Sequence, residues 1–274
     1  QMAADPALRQ RMQAIEEFTR NAIQNGRMLA NGTIEIPVVV NVLWKTQVQN
    51  VSDAQIATQI EVLNKDFSAT NSDYNQTPSI FQSVASGDIP VRFVLYSVVR
   101  KKTKKSSWQL NDAMKKSQQG GIDPTNPTTM MNMWVCNLAG GYLGYAQFPG
   151  GDPATDGVVI DDNAFGTIGS AQAPFNLGRT ATHEVGHWLN LRHIWGDATC
   201  GNDFVGDTPL HNTYNFGCPT YPHYSTCSGT PVEMTMNYMD YTDDACMFMF
   251  TAGQENRMMA VFAPGGPRNS FAQP

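Results

Sequence analysis

His183-Glu-Val-Gly-His-Trp-Leu-Asn-Leu-Arg-His193 is the stretch on which the reading of this 274-residue sequence turns. On a helix, His183 and His187 stand four apart, so both imidazoles project from one face and can hold the same ion. Glu184 is turned from His183 by about 100°, near enough to reach a water on that ion without ligating it. His193 follows six residues after His187. That spacing leaves the helical face, so the helix must stop and the chain must turn back. Asn190 is the natural place for the turn, because Asn tolerates left-handed backbone angles. Three neutral nitrogen ligands leave one tetrahedral position for water, which is how catalytic rather than structural zinc is held. The chain has only five His, and three fall in this window, which argues against a chance His-Glu-x-x-His. A thermolysin-like plan would need a downstream Glu in place of His193.

Composition bounds the rest. With 41% hydrophobic residues the chain can bury a real core, as one large domain or two small subdomains. A net charge of −6 argues against nucleic acid or an anionic membrane as partner. The one basic run, Arg100 to Lys105, is short and reads as a solvated loop. No apolar run reaches the length of a membrane span. The opening Gln-Met-Ala-Ala-Asp-Pro has no apolar signal core, so an export signal or pro-segment is expected to lie outside this sequence. Of five cysteines, Cys200, Cys218, Cys227 and Cys246 lie within 47 residues of loop-rich sequence. They read as disulfides made in an oxidising compartment, with three pairings open. No Cys-x-x-Cys spacing supports a second zinc site. Cys136 reads as a buried free thiol on a strand.

Along the chain, Asp5 and Pro6 make a helix start, and Leu8, Met12, Ile15, Phe18, Ala22 and Ile23 recur at helical spacing up to Gly26. Ile34 to Trp44 is a β-branched strand in which Pro37 marks an edge position or a bulge. Ser52 caps a helix whose Ile56, Ile60, Leu63 and Phe67 should cover one face of a sheet. Val91 to Val99 supplies another strand, and a weak helix is expected near Gln109 to Ser117. Met130 to Leu138, Tyr142 to Phe148 and Gly157 to Asp161 read as three more strands between Gly-rich turns. Regular periodicity then vanishes between His193 and Thr251, a length that only disulfides, bound ions or contact with the zinc helix could hold. Thr251 to Gln254 reads as a capping box opening a last helix through Val261. His211 and His223 have no partner at ligand spacing and read as surface or structural. The acidic residues Asp203, Asp207, Asp240, Asp243 and Asp244 would by default be surface charge.

The zinc stretch, the Arg-Thr-Ala-Thr before it, the Ile-Trp-Gly-Asp after it and Asn237-Tyr-Met-Asp-Tyr241 together resemble the pappalysin family of metzincin metallopeptidases, closest to the ulilysin and mirolysin type of secreted proteases. The one departure is Asn190 where the general zinc pattern has Gly. The likeness is strongest from about residue 130 to 250 and weak at the two ends. It implies an α+β metzincin-like fold. A five-stranded mixed sheet, a backing helix and the active-site helix would form residues 1–190. An irregular, disulfide-stabilised C-terminal subdomain ending in a helix would form residues 191–274, the two making one catalytic domain.

The resemblance further implies pairing of Cys200 with Cys227 and of Cys218 with Cys246. It implies Met239 as the Met-turn beneath the imidazoles, and Tyr241 as a phenol beside the zinc that steadies the oxyanion. Calcium would sit in the loop from Asp203 to Thr208. The strand at Tyr142 to Phe148 would be the exposed edge above the cleft, so that Tyr142, Leu143, Gly144, Tyr145 and Ala146 bind an extended peptide. Asp243 and Asp244 are candidates for selecting basic side chains after the scissile bond. The expected activity is that of a secreted, monomeric zinc endopeptidase made as a latent precursor, with Glu184 as general base and acid. Two other readings stand beside it: a catalytically silent binding module stapled by zinc, and an amidase or deacetylase acting on something other than a peptide.

Overall fold

A computed structural model describes residues 6–25 and 32–272. Its helices are α1 (Pro6–Gln24), α2 (Asp53–Phe67), the single turn α3 (Ser79–Gln82), α4 (Arg179–Trp188) and α5 (Ala252–Ala260). Its strands are β1 (Ile34–Trp44), β2 (Val91–Lys102), β3 (Met131–Cys136), β4 (Gly144–Ala146) and β5 (Val158–Asp161). They form one mixed sheet in the order β2-β1-β3-β5-β4, in which only the edge strand β4 runs antiparallel to its neighbour.

Alternation along β1 puts Ile36, Val38, Val40 and Val42 on the face covered by α2 and α4. Ser52 caps α2 by accepting from the Gln55 amide, and Ile56, Leu63 and Phe67 meet that face, as do Ala181, Val185 and Trp188 of α4. Pro37 sits in an inner strand, not at an edge. The ladder to β3 begins only at Val38, and the register to β2 shifts between Val38 and Val39. Pro37 thus precedes the ladder to β3 and takes no N–H from it, while the bulge beside it places its extra residue, Tyr96, in β2.

Four expectations need correction. The helix near Gln109 to Ser117 is two single 3-10 turns, Ala113–Lys115 and Ser117–Gln119, because Asp112 before them is left-handed at φ 60° and Lys116 between them is extended. The first of these turns, through Ala113 and Met114, covers with Trp108 and Ile122 the sheet face opposite to α2 and α4. The basic run is not all loop: Arg100 to Lys102 continue β2 along β1, and Arg100 is fastened to Asn50, the Val51 carbonyl and Asp53. The edge strand is much shorter than Tyr142 to Phe148, because β5 offers it only Val158 to Ile160 as partners. Ile23, counted in the α1 stripe, is 38% exposed. The other side of α1 packs on α5 through Phe18 and Ala22. Asp5, Gly26 and the Leu8 side chain lie outside the described residues.

Between α4 and α5 the one helical element is the 3-10 turn Asp244–Cys246, the rest being turns, bends and isolated bridges. Disulfides Cys200–Cys227 and Cys218–Cys246 cross-link this segment. The capping box of α5 is present in full at Thr251 and Gln254. The core is continuous: Met234, Tyr238, Phe250 and Phe262 pack in the same cluster as the sheet and α2. His211 is fully buried and accepts the Met234 amide on Nε2, so its role is structural. Cys136 is a buried free thiol in β3. Among the described residues no helix is long and apolar enough to cross a membrane.

Candidate active site

α4 is held at its start by Arg179, whose guanidinium binds Asp73 and Asp66 and donates to the carbonyls of Asp244 and Met247. At its end Asn190 takes φ 78°. The Leu191 amide reaches back to the Gly186 carbonyl and the Asn190 amide to that of His187, the double closure of a Schellman motif with Asn in the left-handed position. Thr19 of α1 accepts from the Asn190 side chain, and Arg257 of α5 donates to the Asn190 carbonyl while pairing with Glu16 of α1. The turn is thus pinned from outside, and it brings His193 back to the helical pair.

Ring centroids of His183, His187 and His193 are 4.5 to 5.3 Å apart. Their Nδ1 atoms face acceptors: the Tyr238 carbonyl at 2.7 Å, the Leu191 carbonyl at 2.8 Å and the Asp197 carboxylate at 2.5 Å. A carbonyl oxygen can only accept, so the ring protons sit on Nδ1 and the Nε2 lone pairs converge. Burial pushes His183 down to about 3 and His187 well below the usual imidazole range, so both rings stay neutral. Nε2 of His187 and of His193 lie 3.1 Å apart with no proton to share. A cation resolves that repulsion, and neutral imidazole nitrogens suit zinc. Among the described residues this trio is the only cluster of three or more His, Cys, Asp or Glu that could hold a metal.

Gly186, between the two helical histidines, is required where it stands: a Cβ there would meet the Met239 sulfur at 2.5 Å. Met239 is fully buried beneath the site, and its carbonyl accepts from Ile194, just after His193. Glu184 is also buried, its Oε2 has no hydrogen-bond partner, and burial lifts its carboxyl to about 8. Edge residue Gly144 lies directly over it, within 3.0 Å of the Glu184 Cγ if a Cβ were added.

A cavity of about 310 Å³ opens beside Glu184. Tyr142, Leu143 and Gly144 form one wall, and Tyr241, Thr242, Asp244 and Met247 the other, with Phe216 also lining it. The Tyr241 hydroxyl donates to His193 Nε2 at 3.0 Å. Burial and the nearby Glu184 push its phenol up, so it remains a donor at neutral pH. The structure does not bring every sequence candidate to this cavity. Tyr145 turns its hydroxyl to Asp112 and Met114 on the far face of the sheet, and Ala146 lies outside the lining. Asp243 also lies outside it and is tied through its amide to the Gly217 carbonyl. Asp203 and Thr208 do meet, the hydroxyl 2.9 and 3.0 Å from the two carboxylate oxygens, and burial raises Asp203 to about 6.

Sequence reasoning missed Asp197, Arg179 and Phe216. Asp197 is four residues from His193 but on no helix, so it was legible only as the last residue of the quoted Ile-Trp-Gly-Asp, and Phe216 comes from irregular chain and leaves no periodic signal. Arg179 was legible only as part of a quoted motif.

The family model described as pregnancy-associated plasma protein-A, peptidase M43, matches residues 119–263. The chain belongs to the M43 peptidases. Within reach of that family, an extracellular metalloprotease of Arthroderma benhamiae is 32% identical over 234 residues, covering 82% of this chain and 76% of that protein. An extracellular metalloprotease 1 of Coccidioides posadasii is 33% identical, covering 77% and 70%. Mature mirolysin of Tannerella forsythia, solved with a cleaved peptide, is 45% identical with a TM-score of 0.84, covering 88% of this chain and 96% of that one. A promirolysin mutant from the same organism superposes with a TM-score of 0.90 at 42% identity, over 98% and 92%. This M43 chain is a metalloendopeptidase with a metzincin-like fold, and the silent module and the non-peptide amidase are set aside.

Proposed function

We propose that the chain is a secreted zinc endopeptidase in which His183, His187 and His193 hold the metal and Glu184 carries the proton. The observation that carries this reading is the convergence of three Nε2 lone pairs beside a buried carboxylate with a free oxygen. When bound, zinc supplies Lewis acidity and lowers the pKa of water to about 7. The other work falls to the protein. An extended substrate adds its backbone to β4, whose outer edge has no neighbour in the sheet. Glu184 takes a proton from the attacking water and returns it to the leaving amine. The Tyr241 hydroxyl donates to the developing oxyanion. Met239 supplies an apolar floor. The shared apolar core supports treating residues 1–190 and 191–274 as two walls of one catalytic unit.

For specificity, Asp244 is the better of the two sequence candidates, because it lines the cavity and Asp243 does not. We take its carboxylate to favour a basic side chain just after the scissile bond. The backbone there is contributed by Tyr142, Leu143 and Gly144. Calcium in the loop at Asp203 and Thr208 belongs to the same proposal, supported by a buried carboxylate whose partners are a hydroxyl and an amide. Secretion is supported by the two disulfides and by relatives named as extracellular.

The test is Glu184→Gln. Peptide cleavage should fall by about 10²–10⁴-fold while one zinc per chain is retained. A variant that cleaves at the parent rate overturns the assignment of Glu184. Mapping of cleavage sites on a peptide library should show Arg or Lys after the cut bond, and an even distribution there removes the role given to Asp244.

A further inference from the structure

The three imidazoles are not held alike. His183 and His187 stand on α4, buried, and each gives its Nδ1 proton to a neutral backbone carbonyl. His193 has no helix beneath it. Its side chain is 17% exposed, and its Nδ1 proton goes to the carboxylate of Asp197. Asp197 takes φ 58°, a left-handed conformation that a non-glycine residue enters at a cost. Such conformations persist where the surroundings demand them and cluster at functional sites. On the flat side, Trp195 is almost fully buried and lies on the His193 ring, centroids 4.3 Å apart and planes within 6°. The residues that follow His193 therefore fix both the edge and the face of its ring.

We infer that Asp197 is a positioning residue for the metal, acting through His193. Its carboxylate holds the ring in the tautomer that leaves Nε2 free, aims that nitrogen at the other two, and places on Nδ1 a charged acceptor where each α4 histidine has a neutral carbonyl. A carboxylate on the far nitrogen of a ligating imidazole raises its basicity and orients it. His193 is the one of the three without secondary structure to hold it, and the carboxylate of Asp197 supplies that hold. An ordinary surface ion pair would not require the carboxylate to sit on the one ring nitrogen that points away from the other two imidazoles.

This inference rests on the assignment of the three histidines as ligands, and the experiment separates the two. Zinc affinity of the whole chain is measured by competition with a chelator for the parent, Asp197→Ala and Asp197→Asn, together with the melting temperature of each metal-free protein. Asp197→Ala should bind zinc about 10–100-fold more weakly. Asp197→Asn should lose less, because its amide oxygen still accepts from Nδ1, and it should melt with the parent when metal-free. Parent-like affinity in Asp197→Ala overturns the inference. So does a fall in affinity in both variants that is matched by an equal fall in metal-free melting temperature, since that marks a folding role. A parent that takes up no zinc overturns the ligand assignment first, and this inference with it.

Discussion

The sheet with its helices and the irregular chain from Leu189 to Phe250 build opposite walls of one cleft by different means. In the first, backbone groups satisfy one another in ladders and helical turns, and the apolar alternation of β1 buries one face. In the second, carboxylates take the place of a neighbouring strand. Asp203 accepts the Val205 amide, Glu233 that of Asn212, Asp240 those of Asn215 and Tyr241, Asp244 that of Leu177 and Asp207 that of Gly253. The acidic crowd is therefore largely internal wiring. Buried backbone polar groups must find partners, and where periodic structure is missing, side chains supply them.

If discrete links hold the irregular wall, cutting each should cost measurable stability. The largest effect is expected for Arg179→Ala. It strands the buried Asp66 and frees the Asp244 and Met247 carbonyls, for a loss of about 3–5 kcal/mol in chemical denaturation. A loss below about 1 kcal/mol, the range of a surface pair, would mean that packing alone docks the wall. Next comes the disulfide Cys218–Cys246, which closes a separation of 28 residues. Replacing both cysteines by Ser should cost about 2–4 kcal/mol and leave β1 to β5 protected in hydrogen exchange.

The third prediction concerns pH. Burial raises Asp244 from 3.8 to about 6. Below pH 4 both folded and unfolded forms are protonated and the burial carries no penalty. Between pH 4 and 6 the unfolded chain ionises first, so stability is lost as pH rises, and above that range the loss is complete. Asp244→Asn removes this dependence. Parent stability relative to the variant should therefore fall by on the order of 2 kcal/mol from pH 4 to pH 7. A difference that stays flat or grows with pH contradicts the assignment. The smallest effect is Asn190→Gly. Glycine keeps the left-handed turn and loses only the hydrogen bond to Thr19, so melting should report about 0.5–1.5 kcal/mol with zinc uptake unchanged.

The same contrast explains what could be read beforehand. Ile34 to Trp44 and the Ile56-Leu63-Phe67 stripe were legible because a face buried against one partner writes its period into the sequence. The site was legible where chemistry demands fixed spacing, at His183, Glu184, His187 and His193, and Asn190 announced the turn. Tyr145 was misplaced because a strand alternates and its partner Asp112 comes from irregular chain. Phe216 could not be found, and Asp197 stood in a quoted motif without a role, since a contact made by a loop has no period. Pro37 left two readings open, and only the register of β1 against its neighbours chose between them.

The central claim is that three imidazoles, two from a helix and one from the turn that ends it, hold a single metal. X-ray absorption at the zinc edge of the loaded protein tests it directly. One zinc per chain, with three imidazole nitrogens at about 2.0–2.1 Å, is the predicted result. A first shell with fewer than three imidazoles, or a spectrum unchanged in His193→Ala, would contradict it.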